Sequence, residues 1–188
     1  MTRSIPTVLL LSLWGCQADS VQTDLIGGLF IRKDSDEYAA YAWSLDFLEG
    51  RTKVYAVAAA DGVVFTDQGA LRIGFDGWDV VLVEGMPGAM GKVSVKKPRY
   101  AGPDAGEREH VIEGQGRFKL DCPEPKRTET GWLTGCTAEM DGVLHAMTHG
   151  VELNEKGGIE SISASLFPGV APMVLRRLSA DALEGALR

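Results

Sequence analysis

Val63-Val64-Phe65-Thr66-Asp67-Gln68-Gly69-Ala70-Leu71-Arg72-Ile73-Gly74-Phe75-Asp76-Gly77-Trp78-Asp79-Val80-Val81-Leu82-Val83 is the stretch that decides the fold. Three runs of β-branched, aromatic and aliphatic residues are cut by Gln68-Gly69 and Asp76-Gly77. Asp-Gly between hydrophobic runs is a strong hairpin signal, because a type I′ turn needs positive φ at both central residues. Leu71, Ile73 and Phe75 fall on one face of a strand, with its period of two. Just upstream, Asp61-Gly62 joins the run Lys53–Ala58 to Val63–Thr66 in the same way. Four short strands and tight turns predict an antiparallel meander.

Outward from the meander the same grammar continues. Tyr38–Phe47 reads as a strand before it. Met86–Gly106 loses periodicity around Pro87, Pro98 and Pro103, with one short strand at Val93–Val95. Val111-Ile112, Arg117–Leu120, Trp132-Leu133, Val143–Met147, Val151–Leu153, Ile159–Leu166 and Met173–Leu175 are further strands. Asp141-Gly142 and Asn154–Gly158 are turns. Ser179 can cap a short C-terminal helix over 179–184. A second helix, near Asp24–Phe30, is a poor one because of Gly27-Gly28. The chain therefore predicts an all-β domain over residues 24–188, mainly antiparallel, a meander barrel or a sandwich, with a short C-terminal helix. Gly at 23 of 188 residues suits many turns and few long helices. Nineteen Lys and Arg against 26 Asp and Glu give −7, the wrong sign for meeting nucleic-acid phosphates.

Residues 1–15 read as an address. Arg3 gives a basic start, and an apolar run from Ile5 to Leu13 follows, far shorter than the ~20 residues of a membrane-spanning helix. Leu13-Trp14-Gly15-Cys16 then resembles the lipobox of bacterial lipoproteins, with Trp14 where a small residue is usual. The resemblance implies cleavage before Cys16, a diacylglycerol and a fatty acyl chain such as palmitate on Cys16, and residues 16–23 as a polar tether. Three acyl chains anchor stably to a membrane. Gln17 after the Cys, rather than Asp, implies sorting to the outer membrane, with the domain facing the periplasm. Losing Arg3 takes the mature charge to −8.

With Cys16 acylated, Cys122 and Cys136 remain as an even pair in an oxidising compartment, which predicts a disulfide. It closes a polar, Pro-rich loop with little means of ordering itself; two free buried thiols are the other reading. Two Cys without a His at ligand spacing make a poor zinc site.

Candidate chemistry is sparse. His145 and His149 would face one metal on a helix, but Ala146 replaces the Glu of the zincin pattern, and on a strand the pair lies about 13 Å apart. Gly85–Lys92 has phosphate-loop composition with the wrong spacing, and no helix follows to complete it. Asp34, Asp36 and Glu37 lack the further ligands of a calcium loop. Lys92, Lys96, Lys97 and Arg99 form a basic run that reads as a solvated loop or as a contact for an acidic polymer or lipid head groups. No Ser sits in a nucleophile elbow, and no carboxylate pair stands out. We therefore expect no enzyme, no cofactor and no metal.

Two stretches look like a known family. Tyr41-Ala42-Trp43 through Ala60-Asp61-Gly62 to Leu71, and Val151-Glu152-Leu153-Asn154-Glu155-Lys156-Gly157-Gly158 through Phe167-Pro168-Gly169 to Leu175, resemble in order the YjbF-type outer-membrane lipoproteins of exopolysaccharide and capsule operons. Residues 86–150 lie outside the likeness. The resemblance implies a mostly β, non-catalytic lipoprotein serving polysaccharide export, with polysaccharide or export proteins as partners. Trp43, Trp78 and Trp132 are then candidate binding aromatics, each with core packing as the competing role. Two other readings are a half-open barrel that carries lipid or a lipoprotein, and an envelope hydrolase with a cleft.

Overall fold

A computed structural model of the chain describes residues 42–86, 91–96 and 106–179. Cys16, the 16–23 tether, the helices expected at 24–30 and 179–184, the acidic trio 34–37, Lys97 and Arg99 lie outside those residues, apart from Ser179. No helix occurs among the described residues. Thirteen strands do: β1 (Ala42–Phe47), β2 (Gly50–Ala59), β3 (Gly62–Thr66), β4 (Arg72–Phe75), β5 (Val80–Glu84), β6 (Val93–Lys96), β7 (Gly106–Ile112), β8 (Gly116–Cys122), β9 (Lys126–Thr128), β10 (Gly131–Met140), β11 (Val143–Leu153), β12 (Ile159–Ala164) and β13 (Met173–Arg177).

Every pairing is antiparallel. The order runs β11-β12-β13-β1 and on through β8 to β10, and β10 pairs back onto β11. The sheet is thus a closed barrel of twelve strands, with β9 as a thirteenth segment beside β10. This decides between barrel and sandwich. It also corrects the half-open barrel expected of a carrier, because the β10–β11 ladder shuts the sheet over ten residue pairs, from Gly131↔Glu152 to Met140↔Val143. Closure removes the sheet edges that would otherwise invite aggregation.

The Asp141-Gly142 turn forms for the stated reason, whereas at Asp61-Gly62 and Asp76-Gly77 only the glycine takes positive φ. Asp141 and Gly142 have φ of 53° and 76°, the signs a two-residue I′ hairpin requires. Gly62, at φ 140°, lies so close to Phe75 that a Cβ would collide with its carbonyl oxygen. The meander β2–β5 is as read, down to the alternation of Ile73 and Phe75 inward and Arg72 outward.

Three departures have physical causes. Val143–Met147 and Val151–Leu153 are one eleven-residue strand, because β10 and β12 pair with the stretch between them on both sides. Trp132-Leu133 is the start of a ten-residue strand that alternates buried Thr134, Cys136 and Ala138 with exposed Leu133, Gly135 and Thr137; small and polar residues hid its period. The Pro-rich loop is also not wholly loop. Lys126↔Leu133, Arg127↔Trp132 and Thr128↔Gly131 make β9 a continuation of β8 along the same edge of β10, broken only at Pro123-Glu124-Pro125.

Barrels of about eight strands are filled by side chains alone. Twelve strands enclose more width, and here loops help to fill it. Leu71, Met86 and Leu166, all outside strands, are buried in the core with Leu45, Phe65, Phe75, Ile73 and Ile162. Phe167 packs edge-on against Phe118 of β8, with ring centroids 5.9 Å apart. Leu120, Cys122, Cys136, Ala138 and Met147 form a second apolar cluster. Outward positions carry Arg51, Lys53, Arg72, Glu107, Arg117, Lys119, Asp121, Glu139 and Glu160, all exposed. Apolar inside and charged outside is the inverse of a membrane-spanning barrel.

Candidate functional site

Strand direction places the β4–β5, β9–β10 and β11–β12 connections at one end of the barrel. There they enclose a cleft of about 720 Å³, within the size range of small-molecule sites. Its lining is Trp78 from the β4–β5 loop, Glu124, Pro125, Arg127, Thr128, Glu129, Thr130, Gly131 and Trp132 from the β8–β10 region, and Leu153, Asn154, Glu155 and Gly157 beyond β11.

The indoles of Trp78 and Trp132 meet with ring centroids 4.9 Å apart and planes at 52°. Both are half-buried. In contact, they leave no slot between them and present one bent aromatic surface. Two of the three candidate tryptophans are therefore brought together. Trp43 is not among them: fully buried, it packs edge-on against Phe65 at 5.1 Å, and is core rather than a binding aromatic. It faces inward because β1 is covered on that face by the core, so its ring has no path to solvent.

Local chemistry shapes each wall. Asp76 Oδ1 accepts from the backbone N–H of Trp78 (3.0 Å) and of Asp79 (2.8 Å), an Asx turn that sets the loop. Asn154 Oδ1 accepts from the N–H of Lys156 and Gly158, both at 3.0 Å, and holds the opposite turn. Gly131 lies against β11 so closely that a Cβ would strike the Val151 carbonyl oxygen. Cys122 and Cys136 are disulfide-bonded, and their Cα atoms are 4.2 Å apart on β8 and β10. Eight of the thirteen lining residues fall between these two cysteines.

Inside the barrel lies a buried polar group that the sequence reading missed. Arg108 Nη1 donates to Asp79 Oδ1 at 2.7 Å, with the two side chains only 5% and 6% exposed. His110 and His149 stack edge-on with centroids 6.0 Å apart, and His110 Nδ1 lies 3.3 Å from the Leu166 carbonyl oxygen. Burial pushes the His110 pKa down to about 4, its Leu166 contact opposing and the Arg108 charge assisting. A signal did exist: Arg108, His110 and Ile112 share one face of β7, and Ile112 is a core residue.

The remaining candidates are dispersed. His145 and His149 lie four apart on β11, and His149 meets His110 instead of His145. No group of three or more His, Cys, Asp or Glu that could hold a metal occurs among the described residues. Lys92 lies 3.9 Å from Glu84, and Lys96 3.8 Å from Glu109, as solvated surface pairs. Only parts of the Gly85–Lys92 stretch are described, and Val93 after it begins a strand.

One solved structure resembles the barrel. The chain shares its fold with YmcC, a hypothetical lipoprotein of Escherichia coli K12. The TM-score is 0.53 at 14% sequence identity, over 73% of this chain and 86% of YmcC. No family model matches the chain. No curated protein matches it.

Proposed function

We propose that this protein is a non-enzymatic bacterial envelope lipoprotein that supports surface-polysaccharide export or assembly, and that its tryptophan cleft is where glycan binds. Residues 1–15 are removed, Cys16 carries the lipid, and 16–23 tether the barrel to the outer membrane on its periplasmic side. The observation that carries this reading is the Trp78–Trp132 surface at the barrel end. Aromatic faces take the apolar face of a sugar ring, while Glu124, Arg127, Glu129 and Glu155 around them suit its hydroxyls. The lipobox-like sequence, the disulfide and the charged outer surface fit a tethered periplasmic domain. The likeness to a hypothetical lipoprotein points the same way.

Palmitate labelling with a Cys16→Ser control, followed by membrane fractionation, tests the anchor. Calorimetry of the mature protein against the host's surface polysaccharide tests the site, and Trp132→Ala should weaken binding about tenfold, the upper range for one aromatic contact. Equal binding by wild type and Trp132→Ala would remove the cleft from the account. Unchanged surface polysaccharide in a deletion strain would remove the export role.

A further inference from the structure

The two indoles are held in unlike ways. Trp132 belongs to β10 and is fixed by a strand ladder. Trp78 has no ladder: it projects from the β4–β5 loop. Asp76 shapes that loop from within, through its bonds to the N–H groups of Trp78 and Asp79. The next link runs elsewhere. Asp79 turns inward and receives the 2.7 Å hydrogen bond from Arg108 of β7, two strands beyond β5 in the sheet. Arg108 does not line the cleft.

Stability alone does not account for this pair. Two buried charges lose their hydration, and a well-packed apolar pair of the same volume is commonly as stable or more so. What the pair supplies is position: a charge-assisted bond of defined length, one residue from an indole that must meet another at 4.9 Å.

We propose that Arg108 is a positioning residue of the cleft, which sets Trp78 against Trp132 through Asp79 without touching the ligand. The inference rests on the glycan-binding reading only for its affinity readout. Two indoles in contact also couple their excited states, and the circular-dichroism couplet that results needs no ligand.

The test uses the mature protein with Trp78→Ala, Arg108→Met, and the double variant Asp79→Asn/Arg108→Met. Trp78→Ala defines the spectrum without the pair. Arg108→Met should match it and bind oligosaccharide about tenfold more weakly, as loss of one aromatic contact would. The double variant removes both charges of the pair, so its urea midpoint should return near wild type. Its couplet and affinity should not return. Recovery of couplet and affinity together with stability would make the pair purely structural and overturn the proposal, as would a wild-type couplet in Arg108→Met. If Arg108→Met fails to fold, the double variant carries the test alone. If even wild type binds no oligosaccharide while the double variant lacks the couplet, the glycan reading fails and the positioning role stands.

Discussion

Replacing both Cys122 and Cys136 by Ala should loosen the cleft before it loosens the barrel. The bridge sits at a narrow seam: β8 meets β10 over only Asp121↔Thr137 and Leu120↔Ala138 before Pro123 and Pro125 interrupt the strand. Proline has no N–H to offer the ladder, so the seam depends on the three pairs of β9 and on the disulfide. Loop-closure entropy for a ring of about 15 residues is worth ~3 kcal/mol. Both sulfurs are buried, so their removal adds a small cavity term of the same sign. At a urea slope of about 2 kcal/mol/M the midpoint should fall by roughly 1.5 M. Hydrogen exchange should accelerate first over 123–133 and leave β2–β5 protected, since the crosslink spans only one seam. Denaturation of oxidised wild type, reduced wild type and the double variant measures the first effect, and peptide-resolved exchange the second. A loss below ~1 kcal/mol, or exchange rising evenly around the barrel, would refute this account of the bridge as a local clasp.

Three further outcomes follow. Gly131→Ala should cost several kcal/mol, because the new Cβ meets the Val151 carbonyl at a φ of 153° that other residues rarely adopt; a thermal melt within a few degrees of wild type would contradict it. His110 titrates near 4 when folded against 6.5 unfolded, so the unfolded chain binds the proton first as pH falls. Stability is then full above about pH 6.5 and drops by on the order of 3 kcal/mol by pH 4; His110→Leu should flatten that profile in urea titrations run at several pH values. Lys119→Gln, which breaks the exposed pair with Glu107, should change stability by less than ~1 kcal/mol, and a larger loss in the same melt would show the outer surface to be more coupled than its exposure suggests.

The sequence alone determined most of the strands, but not β9, the start of β7 or the end of β10. Gly62 and the Asp141-Gly142 pair take positive φ locally, and the alternation at Leu71–Phe75 places a buried face whatever the rest of the chain does. The pairing of Cys122 with Cys136 was also legible, from cysteine number and compartment. Only the tertiary structure decided that the sheet closes, because β10 meeting β11 and β13 meeting β1 are pairings whose register no single strand encodes. It decided the roles of the tryptophans as well. Trp43, Trp78 and Trp132 are equally hydrophobic as letters, yet one is sealed in the core and the others meet at the rim, since exposure depends on which chain segments arrive from a distance. Asp79 and Arg108, 29 residues apart, become partners only when β5 and β7 curve into one barrel. Turns and faces are set by neighbours in the chain; sites are set by neighbours in space.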